Sequence, residues 1–135
     1  MVLGTSDGSG MPWVTPVYFA AEGYRDFYWV SAPDRTHSRN IAARPQIAIV
    51  VFNSQVPIGQ GQGVYMAATA SEITGDELER GIEVFSRVST NHGARPWTLE
   101  DVQPPAELRI FHAKVSAHWV LDPDRRPDQR AAVDP

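Results

Sequence analysis

Apolar residues fall along most of this chain at the spacing of strands. Val2 to Thr5 is a short apolar start, and Asp7-Gly8-Ser9-Gly10 supplies the residue types of a tight turn. Trp13 to Ala20 reads as the second strand of an opening hairpin. It is apolar on both sides, with Trp13 and Val17 on one and Val14 and Tyr18 on the other, which predicts burial of both. Pro16 cannot donate to a ladder, so the strand is expected to open or bulge there. A turn at Glu22-Gly23 leads to an aromatic third strand, Arg25 to Ser31. Gln46 to Phe52 is a near-continuous apolar run rich in β-branched residues, the mark of a central buried strand. Val64 to Ile73 follows a Gly-rich connection. In the last strand, Phe111, Ala113, Val115, Ala117, Trp119 and Leu121 alternate with His112, Lys114, Ser116 and His118, which predicts a half-buried strand with one polar face.

Two segments carry helical signals instead. Asp34 is suited to cap a two-turn helix over Arg35 to Ala43, closed by Pro45. Thr74 and Glu77 have capping-box spacing, and Leu78, Ile82, Phe85 and Val88 then recur at helical steps until Asn91-His92-Gly93. Six short strands with two or three helices predict a mainly β protein, a small β-barrel with helical additions.

Length and composition narrow the class. The chain has 135 residues, 42% hydrophobic and 21% charged, with a net charge of -4, which is the profile of one folded domain. We expect that domain over residues 1–121. Residues 122–135 hold three prolines, four Asp and three Arg with little apolar content, and are expected to fray as a flexible tail. There is no apolar run of membrane-spanning length and no secretory leader pattern, and no cysteine for a disulfide or a thiolate. These features fit a cytoplasmic protein. The acidic balance argues against a general nucleic-acid surface, which must be basic.

The candidate chemistry is sparse. His112 and His118 share a strand face in this reading but stand six residues apart, roughly 20 Å on an extended chain, too far to ligate one metal. No metal-ligand spacing occurs elsewhere, so no metal site is expected. Gly59-Gln60-Gly61-Gln62-Gly63 lacks the following helix of a dinucleotide fingerprint and reads as a flexible connection that a flat ligand could approach closely. No hydrolase elbow is present, and no residue stands out as a catalytic acid or base. Tyr65 and His118 are the candidates, each as readily structural.

The segment Val30-Ser31-Ala32-Pro33-Asp34-Arg35-Thr36-His37-Ser38-Arg39-Asn40-Ile41 is the most informative. A strand runs straight into a helix N-terminus bearing hydroxyl, guanidinium and imidazole groups, a natural phosphate site. It reads equally as an ordinary capped surface helix.

The succession of hairpin, Pro-x-Val-Thr-Pro-Val-Tyr-Phe strand, aromatic strand, Ser-x-x-x-Arg-x-His-x-x-Asn-Ile helix, Arg-Pro and apolar strand resembles the pyridoxamine 5'-phosphate oxidase-like flavin-binding split barrels. The matching stretches are Pro12 to Phe19, Phe27 to Phe52 and Gly61 to Ile73, with a looser match at Leu108 to Leu121. The resemblance implies a six-stranded split β-barrel of FMN-binding type, working as a homodimer with two FMN molecules between subunits. It implies that Thr15 and Val17 line the flavin ring, that Val30 and Ser31 meet it from the third strand, that Arg35, Thr36 and His37 hold the phosphate, and that Gln62 approaches the flavin. His37 stands where a lysine is common in the family. A C-terminal Arg/His-rich substrate segment is lacking, so a substrate other than a vitamin B6 phosphate is expected. The implied activity is hydride transfer through FMN, with the deazaflavin F420 as the alternative cofactor, and a non-enzymatic carrier of flavin or another flat ligand as the rival reading.

Overall fold

A computed structural model describes residues 1–122 and 129–135 of the chain. It contains eight strands among the described residues: β1 (Val2–Ser6), β2 (Pro12–Pro16), β3 (Ala20–Glu22), β4 (Asp26–Ser31), β5 (Gln46–Phe52), β6 (Gly63–Glu72), β7 (Arg109–Asp122) and β8 (Gln129–Val133). Helix α1 (Thr36–Ala43) follows β4, helix α2 (Asp76–Asn91) follows β6, and a short 3-10 turn spans Leu99–Asp101. All strands pair antiparallel in one sheet of order β2-β1-β5-β6-β7-β4-β3, with β8 added to β7. The sheet curls but does not close, so β2 and β3 are its free edges.

That opening falls where Pro16 stops β2. The expected strand from Trp13 to Ala20 is therefore two strands, β2 and β3, separated by a link through Val17 to Phe19. The link stays tethered: the Val17 N–H donates to the Met1 carbonyl at 2.9 Å and the Met1 amine donates to the Val17 carbonyl at 3.0 Å. The prediction that β2 is buried on both sides is corrected. Trp13 and Val14 are 48% and 67% exposed, because β2 is an edge strand with no neighbour beyond it among the described residues.

Two cores form on opposite sides of the sheet. Leu3, Trp29, Ile41, Ile49, Met66 and Phe111 belong to the core inside the barrel. Outside it, α2 lays Leu78, Ile82 and Phe85 on Ala20, Tyr28 and Ile110. Gly81 permits the close approach of this helix, since a Cβ there would come within 2.7 Å of Ile73 and 3.2 Å of the Tyr28 ring. Both predicted caps are corrected. Helix α1 begins after Arg35, not Asp34, and α2 begins after Gly75 at φ +63°, not through a Thr74 capping box. The side-chain capping box lies instead at Thr98 and Asp101, where Arg95 and the Thr98 hydrogen bonds hold the Asp101 carboxyl well below the usual carboxylate range.

Strand β7 changes faces midway. Val115 pairs with Ala68 and Ala117 with Ala67, so Ser116 is an extra residue whose hydroxyl donates to the Ala67 carbonyl at 3.2 Å. Beyond this bulge the alternation inverts. His118 turns inward opposite Met66, while Trp119 joins the outer face. His112 and His118 therefore do not share a face as the sequence pattern implied. The chain beyond Leu121 includes β8, which adds a strand to the six expected, while residues 123–128 of the expected tail lie outside those described.

Candidate functional site

Helix α1 closes the end of the barrel at which β4 and β6 finish and β5 begins. Two buried polar links fix it there. Asn40 Nδ2 donates to Thr5 Oγ1 at 3.1 Å, and that hydroxyl donates to the Trp13 carbonyl at 3.3 Å, tying the helix to β1 and β2. On the other side, His37 Nε2 lies 2.8 Å from Ser31 Oγ at the end of β4, and the Ser38 hydroxyl donates to the same oxygen at 3.4 Å. Buried polar side chains must find partners, and these fix the helix in register.

The N-terminus of α1 carries no side-chain cap, and its first turn has no acidic residue. Its leading N–H groups and the positive end of the helix dipole are thus presented without an internal acceptor. Arg35 and Arg39 flank it. Arg35 is 66% exposed and its Nε stands 3.6 Å from the Asp34 carboxylate, while the Arg39 guanidinium donates to the Asp34 carbonyl. Thr15 on β2 adds a hydroxyl that is buried without a partner among the described residues.

The sequence-predicted residues fall into three groups. Arg35 and Thr36 stand together at the α1 N-terminus, with Ser31 and His37 buried behind them. Val17 lies on the link across the opening, packed against the inner core, whereas Val30 packs toward the α2 core. Gln62 is exposed on the loop between β5 and β6, at the opposite end of the sheet. Strand β5 alone, seven residues long, separates the two ends by about 20 Å. The register thus sets Gln62 and Arg35 at opposite ends of the sheet, with Val17 at the Gln62 end in one cleft with Phe52.

His37 has an inward role that the sequence did not show. Burial, and then the nearby Arg35 charge, push its imidazole below its ordinary value. Protonation thus opposes the fold: the unfolded chain takes up the proton first, so the His37 contribution is complete above about pH 6.5 and is lost as the pH falls through and below it. We expect stability to decline on acidification across this window, and a His37→Gln variant to show a shallower decline in urea melts at pH 7.5, 6.5 and 5.5.

The outer face of the sheet was the feature sequence reasoning missed. In register, Pro16, Val2, Val50, Tyr65, Trp119 and Ala132 form one continuous row across six strands. The next row is Val14, Gly4, Ala48, Ala67 and Ala117, which leaves a groove of about 700 Å³ beside the larger side chains. The Arg130 guanidinium lies 3.9 Å over the Tyr65 ring at its edge. Period-two patterns in five strands carried this signal, but only the register aligns them.

An antiparallel barrel left open at one seam, with a helix across one end, is a split barrel. The family described as pyridoxamine 5'-phosphate oxidase matches residues 1–121, and the chain belongs to that family. No curated protein matches the sequence. Among solved structures, a heme binding protein from Mycobacterium smegmatis superposes with a TM-score of 0.69 at 16% identity, over 97% of this chain and 51% of that one. The chain thus spans about half the length of that relative. HutZ, the heme storage protein from Vibrio cholerae, gives 0.68 at 20% identity over 85% and 80% of the two chains, and an F420 reductase gives 0.60 at 22% identity over 87% and 86%. These likenesses show the fold. No helix among the described residues is long and apolar enough to cross a membrane.

Proposed function

We propose that this protein is a flavin-dependent oxidoreductase that binds FMN between two copies of the chain. The observation that carries the reading is the uncapped α1 N-terminus with Arg35, Thr36 and Arg39 around it, a donor set matched to a phosphate monoester. Thr15 Oγ1, buried and unpartnered, would turn to the polar edge of the ring, with Val17 beside it. Ser31 and His37 hold the helix end in place from behind. Bound FMN would supply hydride transfer; the chain's residues orient it and exclude water.

The second copy enters for two reasons. Gln62 stands at the far end of the sheet from Arg35 in its own chain, and a neighbouring chain would bring its Gln62 to the flavin. The outer row through Val50, Tyr65 and Trp119 offers an apolar face for that contact. The protein should therefore sediment at about twice 14.9 kDa, and Trp119→Arg should shift it to the monomer mass while weakening FMN binding. A wild-type monomer at micromolar concentration would overturn this arrangement.

The cofactor is tested by titrating the protein with FMN, F420 and hemin, following visible absorption and, for the flavins, fluorescence. Saturable FMN quenching supports the reading. The non-enzymatic reading is favoured by one observation: His37, which the resemblance sets where a lysine is common, is buried and its pKa is lowered, so the phosphate end has less fixed charge. Tight binding without turnover by any reductant would select it.

A further inference from the structure

Beside the opening between β2 and β3 lies a second cleft, of about 620 Å³. Val17, Tyr18, Phe19, Val51, Phe52 and His92 lie along it, and among the described residues no Asp, Glu, Lys or Arg side chain does. Two of its aromatic rings are unusually bare for apolar groups, Tyr18 at 94% and Phe52 at 54% exposure. His92 is held at the rim by the end of α2, where its backbone N–H donates to the Val88 and Ser89 carbonyls. Its ring nitrogens have no protein partner among the described residues. The Met1 amine at the same cleft is turned to the Val17 carbonyl.

We infer that this cleft binds an uncharged, planar aromatic carbonyl compound, its ring on Phe52 and its carbonyl oxygen accepting a hydrogen bond from the His92 imidazole. The lining selects against an anion, which would lose its water shell there while the Met1 amine, the one cation along the cleft among the described residues, is already committed to the Val17 carbonyl. It selects for flatness, because Phe52 and Tyr18 offer ring faces beside the strand surface. It selects for an acceptor, because the His92 imidazole and the Tyr18 hydroxyl are side-chain donors along the lining, and His92 is the one fixed by a helix end. The inference rests on the flavin reading only for its role: Val17 borders both places, so a ligand here would lie next to the cofactor ring as its substrate.

The test uses a matched pair of probes, 2-acetonaphthone and 2-naphthoate, titrated against the protein by calorimetry without flavin. The neutral ketone should bind at least about tenfold more tightly than the carboxylate. Phe52→Glu, a change at an exposed position that leaves both cores intact, should reduce ketone binding by a further tenfold or more. His92→Ala should reduce it about three- to tenfold, and His92→Gln, which keeps a donor, should recover most of that. Equal or tighter binding of 2-naphthoate, no binding of either probe, or an affinity unchanged in both Phe52→Glu and His92→Ala would overturn the assignment. Added FMN should leave the ketone bound; its displacement by FMN would place the flavin itself in the cleft and overturn the assignment too. If FMN does not bind at all while the ketone does, the flavin reading fails and this one stands.

Discussion

Arg35→Ala should weaken FMN binding by about 1.5–3 kcal/mol, roughly ten- to 150-fold, read from the quenching of flavin fluorescence. Arg35 is the N-cap residue of α1, so its guanidinium stands beside the leading N–H groups of the helix and can reach the same phosphate oxygens. Its present partner, the Asp34 carboxylate at 3.6 Å, is exposed and holds it weakly. A phosphate would outcompete that contact by offering bidentate geometry. Arg35→Lys should recover part of the loss, since charge returns without the planar fork. His37→Ala should behave differently. It removes no cation, but it frees Ser31 and loosens the helix end, so reduced binding should come with a lower melting temperature. Combining Arg35→Ala with His37→Ala should lose at least as much affinity as Arg35→Ala alone. Unchanged affinity in the Arg35 variant would place the phosphate elsewhere.

Trp29→Ala should be the most damaging substitution to the fold. The side chain is fully buried in the inner core and stacks on Phe111 with centroids 5.7 Å apart. Emptying such a site costs about 3–5 kcal/mol, against a total stability of roughly 5–15 kcal/mol for a typical domain. Trp29→Phe is the informative partner. The indole N–H is buried with no acceptor among the described residues, so its removal relieves a desolvated donor while giving up only part of the ring. Urea melts should therefore place Trp29→Phe much closer to wild type than to Trp29→Ala. A Phe variant as unstable as the Ala variant would mean that the indole N–H is satisfied in solution.

Local chemistry was legible in the sequence where a single residue type decides the outcome. Pro16 ended its strand because it has no N–H, and the β-branched run from Gln46 to Phe52 formed a strand between β1 and β6, but not the fully buried one expected: Ile47 and Ile49 are buried while Ala48 and Val50 lie on the open outer face. The junction from Ser31 to Ile41 put a helix start beside Arg35 and Thr36 as expected. The caps were misread because Asp34 and Thr74 have competent side chains, but the backbone leaves each before the helix begins. The role of His37 was hidden as well. Its neighbours on the helix are polar, and only the return of β4 places Ser31 within 2.8 Å to draw the ring inward. The apolar outer face was invisible for a different reason. No one strand shows more than two or three of its residues, and register, a property of pairs of strands, assembles the rest.

Counting, not chemistry, governs the second half of β7. Because Ser116 is one residue too many, positions before and after it obey opposite rules: Val115 and His118 both face the barrel, although their positions differ by an odd number, three. At the 16–22% identity of the related structures, an alignment that slides a single gap across this point scores almost the same either way. It would nonetheless exchange inside for outside from Ala117 onward. Roles borrowed from relatives for His118, Trp119 or any residue that follows should therefore be transferred by superposing the strand on β6, and not by column in an alignment.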